Sequence, residues 1–139
     1  MKLPVRRIAQ DAQLPAYAKP GDAGLDLYSR ELRTLNPLEP TLFALGVAIA
    51  LPAGTVGLIT DRSGLGKRGI TTLGGVVDHT YRGELGVLLV NVTEAPYTVR
   101  PGDRIAQLLV LPVHTVEVEE ADALPESARG ADGFGSTGR

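Results

Sequence analysis

Short apolar runs rich in valine, isoleucine and leucine recur along this chain, and turn-forming residues separate them. Glycine, proline and aspartate mark the breaks, as in Pro20-Gly21-Asp22 and Pro101-Gly102-Asp103. Val47, Ile49 and Leu51 alternate with small residues, as expected for a half-buried strand. Short strands at this spacing predict an all-β sandwich or barrel. The predicted strands are Val5–Ala9, Leu25–Tyr28, Thr41–Leu51, Thr55–Thr60, Leu85–Val92, Arg104–Leu111 and Val113–Val118.

Helical periodicity is weak, because no segment keeps apolar residues at i, i+3, i+4 and i+7 for three turns. The pattern allows short helices only around Leu65–Lys67 and Pro125–Arg129. After about Val118 the chain becomes acidic and then glycine-rich, and such a stretch buries too little apolar surface to fold alone. We therefore expect a β core over residues 1–120 and a flexible C-terminal arm over residues 121–139.

Length and charge narrow the class of function. The chain has 139 residues, 43% of them hydrophobic, and a formal net charge of −2. This suits one small domain, which would gain from packing against copies of itself. The slight acidity argues against binding to a nucleic acid polymer. The longest apolar stretch, Leu42–Leu51, is too short for a bilayer, and the N-terminus lacks the apolar run of a signal peptide, so we expect a cytoplasmic protein with no membrane partner.

Residue types also limit the chemistry. The chain has no cysteine, which excludes disulfides, thiolate catalysis and cysteine metal sites. Two histidines and no His-Glu-x-x-His motif leave little basis for a tight zinc site. Mg²⁺ remains compatible with the sequence, because it can bind through water and through a substrate's phosphates.

Five segments place polar side chains among glycines or at strand ends. The first, Ala23–Leu27, carries Asp26 at the entry to a predicted strand. The second, Asp61–Gly66, offers Arg62 and Ser63 as donors to phosphate oxygens. Taken alone, each segment is also compatible with an ordinary turn that carries solvated charges.

The third segment is Gly74–Glu84, in which Val76 and Val77 run into a predicted hairpin that holds Asp78 and Tyr81. A carboxylate at the end of a buried strand is a candidate general base. Tyrosine offers a flat apolar face with a polar tip. The alternative is an ordinary hairpin with Tyr81 packed on its own strands.

The last two segments lie nearer the C-terminus. In Pro101–Leu108, Gln107 shares a face with core positions, so its amide needs hydrogen-bond partners. Arg129–Gly138 combines glycines, hydroxyls and an arginine, as a phosphate-binding loop does, but without the Walker A spacing. Phe134 is unusual in such a tail, because it would lie in water unless it packs on something. A disordered glycine-rich tail is the alternative.

Together, in this order and spacing, the five segments resemble the five motifs of the trimeric dUTP pyrophosphatase (dUTPase) family from Ala23 to Gly138. The most specific parts are the tail and Tyr81-Arg82-Gly83. The resemblance implies a jelly-roll-like β-barrel or sandwich with a flexible C-terminal arm, assembled as a homotrimer with active sites at subunit boundaries. It also implies hydrolysis of dUTP to dUMP and pyrophosphate with Mg²⁺ as cofactor, which limits uracil in DNA and supplies dUMP for dTMP synthesis.

The resemblance further implies roles for individual residues. Asp78 would activate the water that attacks the α-phosphorus, and Asp26 would support Mg²⁺ through water. The backbone from Gly75 through Val77 to Tyr81 would read uracil, while the Tyr81 ring would stack on deoxyribose and exclude a 2′-hydroxyl. The implied phosphate-binding residues are Arg62, Ser63, Gly64 and Gln107 for the α- and β-phosphates and Arg129, Ser136 and Thr137 for the γ-phosphate. In the same tail, Phe134 would cover the uracil ring, with Gly135 also in contact with substrate.

Four positions depart from the family's usual pattern. His79 and Thr80 lie between Asp78 and Tyr81, where small or acidic residues are commoner. Asp61 stands before Arg62 where an uncharged residue is common, and Thr72 stands where many bacterial members have an asparagine that helps to read uracil. Thr72 shifts the expected uracil discrimination onto the backbone. One alternative is a dCTP deaminase or bifunctional deaminase–pyrophosphatase of the same superfamily, for which Glu84 is the nearest acid–base candidate. The other is a non-enzymatic nucleotide-binding protein.

Overall fold

The computed structural model describes residues 1–133, and within that range it consists of eleven strands and one short helix. The expected all-β, jelly-roll-like fold is confirmed. The elements are β1 (Val5–Arg7), β2 (Leu25–Tyr28), β3 (Arg33–Leu35), β4 (Thr41–Ala44), β5 (Val47–Ile49), β6 (Thr55–Thr60), α1 (Ser63–Gly66), β7 (Ile70–Leu73), β8 (Val76–Asp78), β9 (Gly86–Asn91), β10 (Tyr97–Val99) and β11 (Arg104–Pro112).

All strand pairs are antiparallel, and they form two larger sheets and two short ribbons. The larger sheets have the strand orders β2-β11-β6-β8 and β4-β9-β7, and the ribbons are β1-β5 and β10-β3. Their inner faces enclose an aliphatic core around one fully buried aromatic side chain, Phe43. An aliphatic core is expected for a chain that has no tryptophan and only two phenylalanines.

Two predicted strands need correction. The run Thr41–Leu51 is two strands rather than one, because the chain turns at Gly46, whose φ of +72° favours glycine. The strand predicted at Val113–Val118 is wrong: the described chain forms no strand after Pro112, and residues 113–132 are exposed. An alternating apolar pattern makes a strand only where a partner edge accepts its hydrogen bonds, and residues 1–133 of one chain offer none here.

The helix predictions had mixed outcomes. The helix expected around Leu65–Lys67 is present as α1, one turn long, whereas Pro125–Arg129 is not helical. The division into a core over residues 1–120 and a flexible arm over 121–139 stays a prediction, although the last described strand already ends at Pro112. Within residues 1–133 no helix is long and apolar enough to cross a membrane.

The nine-residue strand β11 aligns the candidate segments. Gln107 lies opposite Asp26 of β2 on one side and opposite Thr60 of β6 on the other. Residues directly opposite in a sheet project from the same face. The register therefore carries the first, second and fourth segments to one face, where β6 leads into Asp61 and Arg62.

The predicted hairpin around Asp78 and Tyr81 is wrong in its pairing. β8 pairs with β6, whereas β9 pairs with β4 and β7, so residues 79–85 form a loop that crosses between the two sheets. On its other side β8 is joined to β7 by Gly74 and Gly75 alone, and these strands also lie in different sheets.

This two-residue crossing gives a prediction with an internal control. Gly74 and Gly75 have φ angles of +70° and +112°, but only at Gly75 would an added Cβ meet backbone, the Ile59 carbonyl oxygen. We expect Gly74→Ala to lower the free energy of unfolding by about 1 kcal/mol through left-handed strain alone. Gly75→Ala should cost at least about 2 kcal/mol, because strain and overlap add. Equal losses in urea denaturation would contradict this account of the turn.

Candidate active site

One cleft of about 260 Å³, the arginine cleft, is lined by residues of three candidate segments. It brings Asp26 of β2, Gln107 of β11 and the Arg62-Ser63 pair that follows β6 to a single surface. Gly64, the next residue, is exposed at the start of α1 beside a second polar cleft that shares Arg62 with the first. The sequence prediction of a joint phosphate-binding surface therefore corresponds to residues that lie together.

A buried carboxylate between two guanidinium groups organises the arginine cleft. Asp26 is only 5% exposed. Its Oδ1 accepts from Nε of Arg62 at 2.8 Å, and its Oδ2 lies 3.4 Å from Nη1 of Arg104. One negative and two positive charges leave an excess of one positive charge, which suits a polyphosphate.

Arg104 is a functional candidate that the sequence analysis missed. The neighbouring Asp103 is not its partner, because the Asp103 carboxylate accepts from the backbone N–H of Arg100 in the turn. Its true partner, Asp26, is 78 residues away in sequence, and only the β2–β11 register brings the two together. The alternation of residues along β11 could not show by itself that Arg104 lies near Asp26, because the sequence does not reveal that β11 pairs with β2.

Gln107 has the partners that its half-buried position requires. Its Nε2 donates to the backbone carbonyl of Asp61 at 2.8 Å, so the amide fixes the start of the chain segment that carries Arg62. A Cβ on Gly24 would overlap the Gln107 amide. This overlap explains why the first segment needs glycine two residues before Asp26.

The Asp61 carboxylate spans the two sheets. Its Oδ2 accepts from Oγ1 of Thr71 at 2.7 Å, and its Oδ1 accepts from the backbone N–H and the Oγ1 of Thr72 at 2.6 and 2.7 Å. Burial by itself would raise the pKa of this carboxyl group. The three hydrogen bonds outweigh burial and lower the pKa below its ordinary value.

A separate cleft of about 310 Å³, the tyrosine cleft, is lined by Gly75, Val77, Asp78 and Tyr81. Val77 points into the core while its neighbour Asp78 is exposed at the end of β8. The Tyr81 hydroxyl donates to the Glu84 carbonyl at 3.0 Å, which holds the ring against its own loop. The cleft thus combines a free carboxylate, a flat ring and the backbone of a tight turn.

Glu84 anchors this loop to the rest of the barrel. Its Oε1 accepts from the backbone N–H of Gly46 at 2.7 Å and lies 4.0 Å from Arg30, which in turn pairs with Asp11 at 2.8 Å. An oxygen engaged in this way is poorly placed to act as the acid–base group of a deaminase.

The two clefts share no lining residue in the described chain, although the tyrosine cleft extends along β8 to Ile59 near the end of β6. Asp78 pairs with Val56 near the start of β6, whereas Arg62 follows its end. At about 3.3 Å per residue, the backbones of Asp78 and Arg62 are up to about 20 Å apart within one chain.

The remaining candidates are not brought to either cleft. Arg129 lies in the exposed segment after β11, where its Nε donates to the Asp132 carbonyl at 2.8 Å. Four further candidates lie outside the described residues, namely Phe134, Gly135, Ser136 and Thr137.

A direct metal cage is not offered by residues 1–133, because no group of three or more histidine, cysteine, aspartate or glutamate side chains could hold a metal ion there. Both oxygens of Asp26 face guanidinium groups. The donor set therefore fits Mg²⁺ only when phosphate oxygens and water supply most of its ligands.

Comparison with known proteins identifies the family. The family model described as dUTPase matches residues 10–138. The chain belongs to the dUTPase family. Deoxyuridine 5'-triphosphate nucleotidohydrolases of Clostridium tetani and Nocardia farcinica are 44% and 48% identical to it, over 99% and 98% of this chain and 97% and 85% of theirs. The resemblance drawn from the five motifs is confirmed, and the deaminase alternative is not favoured.

Solved dUTPase structures share the fold. The dUTPase of Staphylococcus bacteriophage 80alpha, solved with dUPNHPP, is 30% identical with a TM-score of 0.94, over 99% of both chains. A dUTPase variant from phage phi11 of S. aureus, solved to show the coordination of a structural Mg(II) ion, is 27% identical with a TM-score of 0.84. That match covers 91% of this chain and 100% of the phage protein.

The lowered pKa of Asp61 predicts how stability depends on pH. A carboxyl group whose pKa is lower in the folded state stabilises the fold above its unfolded pKa and loses that effect as the pH falls through its folded pKa. We expect Asp61→Asn to cost about 1–2 kcal/mol in free energy of unfolding near neutral pH. The difference from wild type should shrink as the pH falls below the ordinary range of aspartate. A difference that is constant across this range in urea melts would show that the ionised carboxylate is not the stabilising species.

Proposed function

We propose that this dUTPase hydrolyses dUTP to dUMP and pyrophosphate by attack of water on the α-phosphorus. The observation that carries the proposal is the tyrosine cleft, in which an exposed carboxylate, Asp78, lies beside Tyr81 and the turn at Gly75. Two relatives that this chain matches over 97% and 99% of their length are named deoxyuridine 5'-triphosphate nucleotidohydrolases.

Asp78 acts as the general base in this scheme. A carboxylate within hydrogen-bond reach of a water accepts its proton as the oxygen attacks phosphorus. The bond from the α-phosphorus to the bridging oxygen then breaks, and pyrophosphate carries away the electron pair. The Tyr81 ring stacks on deoxyribose and leaves no room for a 2′-hydroxyl, while backbone groups from Gly75 to Tyr81 pair with uracil. Cytosine would leave some of these groups unpaired, which discriminates strongly.

The arginine cleft holds the phosphates. Arg62, Ser63 and Gly64 donate to α- and β-phosphate oxygens, and the excess positive charge beside Asp26 offsets the charge of the triphosphate. Gln107 supports the same surface through the Asp61 carbonyl. When bound, Mg²⁺ neutralises further phosphate charge, with Asp26 supporting its water ligands.

Two copies of the chain are needed to complete one site. The general base must reach a water at the same phosphorus atom whose oxygens the arginine binds, and hydrogen bonds act over about 3 Å. A backbone separation of up to about 20 Å along β6 exceeds this reach. The tyrosine cleft of one copy therefore faces the arginine cleft of another, as the subunit-boundary sites of a homotrimer require.

The C-terminal arm of a third copy closes the site in this proposal. Arg129, Ser136 and Thr137 bind the γ-phosphate, and Phe134 and Gly135 lie over the base. Residues 113–132 support this role, because they are exposed and free to reach a neighbouring copy. We place the activity in the cytoplasm, where nucleotide substrates are present.

The proposed function is tested by replacing the general base. Asp78→Asn keeps the size of the side chain and one acceptor oxygen but cannot take up the proton, so turnover of dUTP should fall about 10²–10⁴-fold. Calorimetry should give a dissociation constant for a non-hydrolysable dUTP analogue close to that of wild type. Glu39→Gln, an exposed carboxylate bonded to Asn36, is the matched control and should keep full turnover.

A substrate panel completes that experiment. The wild-type chain with Mg²⁺ should release pyrophosphate from dUTP and much less from dCTP, dTTP or UTP. Ammonia release from dCTP would favour the deaminase instead. Near-wild-type turnover by Asp78→Asn would remove Asp78 from the role of base.

A further inference from the structure

Asp61 is a charged residue whose side chain makes no contact with the candidate catalytic groups, yet it is held by three hydrogen bonds. It immediately precedes Arg62 and follows the last residue of β6. Its three donors belong to Thr71 and Thr72 of β7, a strand of the other sheet. The carboxylate therefore closes the chain segment of residues 61–71, called here the Arg62 loop, into a ring.

We infer that Asp61 is a positioning residue, which fixes the Arg62 loop so that its donors face the phosphates. This inference rests on the proposed function, since it assigns a role within the same phosphate-binding surface.

The Asp61 main chain is held from the opposite direction as well. The Gln107 amide of β11 donates to its carbonyl at 2.8 Å, while β7 donates to its carboxylate. A residue fixed at both its carbonyl and its side chain has little freedom of rotation, and this immobility passes to the next peptide unit. Arg62 then needs only its bond to Asp26 to fix the guanidinium group.

Other restraints on the Arg62 loop are few. Most backbone hydrogen bonds of residues 62–69 stay within the loop, and the bond from Val92 N–H to the Gly69 carbonyl ties its far end to the barrel. Ser63 and Gly64 are exposed. Without the Asp61 carboxylate, the near end would keep the Gln107 bond, the Arg62–Asp26 pair and a 3.5 Å contact from Arg62 to the Arg104 carbonyl, all on the β11 side, and further along the loop Leu65 packs against the core.

The same geometry removes Thr72 from base recognition. Its hydroxyl and its N–H both donate to Asp61. Thr72 therefore supports the Arg62 loop rather than contacting the base, and we expect Thr72→Val to leave the preference for dUTP over dCTP unchanged.

The test compares two ligands that occupy different parts of the site. dUDP carries phosphates for the Arg62 loop, whereas deoxyuridine occupies only the tyrosine cleft. Dissociation constants for both are measured by calorimetry with Mg²⁺ on the full chain. The variants are Asp61→Ala, Asp61→Asn and Thr72→Val, with Glu39→Ala as the control for loss of a carboxylate and Thr34→Val as the control for loss of a hydroxyl.

Asp61→Ala should weaken dUDP binding about ten-fold and change deoxyuridine binding by less than about two-fold. Asp61→Asn should recover most of the loss, because its amide oxygen still accepts from Thr72 and its NH₂ group can donate to Thr71. Adding Thr72→Val to Asp61→Ala should cause no further loss, since the two residues act through one contact. Both control variants should bind both ligands as wild type does.

Three results would overturn the inference: unchanged dUDP binding, equal weakening of both ligands, or weakening of deoxyuridine alone. Equal weakening would show a general structural role, and the last would place Asp61 on the base side. If Asp61→Ala does not fold, Asp61→Asn and Thr72→Val still give smaller selective losses for dUDP. Pyrophosphate release by the wild-type chain separates the two ideas, because its absence contradicts the proposed function and its presence with unchanged dUDP binding contradicts only the inference.

Discussion

The pairing of β6 with β11 on one edge and β8 on the other governs the positions of the candidate groups in the arginine and tyrosine clefts. At its start, β6 holds Asp78 through the β8 register, and beyond its end it delivers Asp61 and Arg62. Because an extended strand has a fixed rise, β6 keeps Asp78 and Arg62 apart within one chain. In the proposed function, the two clefts therefore complete one site where copies of the chain meet.

Within the arginine cleft, charge balance and close packing act together. Asp26 is buried and would be costly to leave unpaired, so it holds two guanidinium groups in place. The absence of a side chain at Gly24 lets the Gln107 amide reach the Asp61 carbonyl. Asp61 adds a contact to the second sheet. These contacts hold the guanidinium groups in place, as electrostatic stabilisation in the proposed function requires.

Local patterns in the sequence predicted the parts of the fold that depend on local physics. The strands Leu25–Tyr28 and Thr55–Thr60 have the predicted bounds, because alternation and flanking turn residues define them. Short strands such as β3 and β10 were missed, since three residues give too little periodicity. The strand predicted at Val113–Val118 is wrong, because its apolar pattern has no partner edge within the described chain.

Contacts between distant segments could be predicted only through the family motifs. The order of the motifs led us to expect Asp26, Arg62 and Gln107 in one site; they line one cleft, and the β11 register explains why they meet. The pairings of Arg104 with Asp26 and of Asp61 with Thr71 and Thr72 depend on sheet register, which no local pattern encodes. The same holds for the loop at Tyr81, whose flanking strands belong to different sheets.

Intersubunit complementation tests the central claim most directly. Chains carrying Asp78→Asn and chains carrying Arg62→Gln, each with a different affinity tag, are co-expressed, and complexes bearing both tags are isolated. In a cyclic trimer with sites between neighbours, every mixed complex contains one site with both native residues, so about one third of the wild-type rate should return. A rate no higher than that of the two variants alone would contradict a site shared between copies.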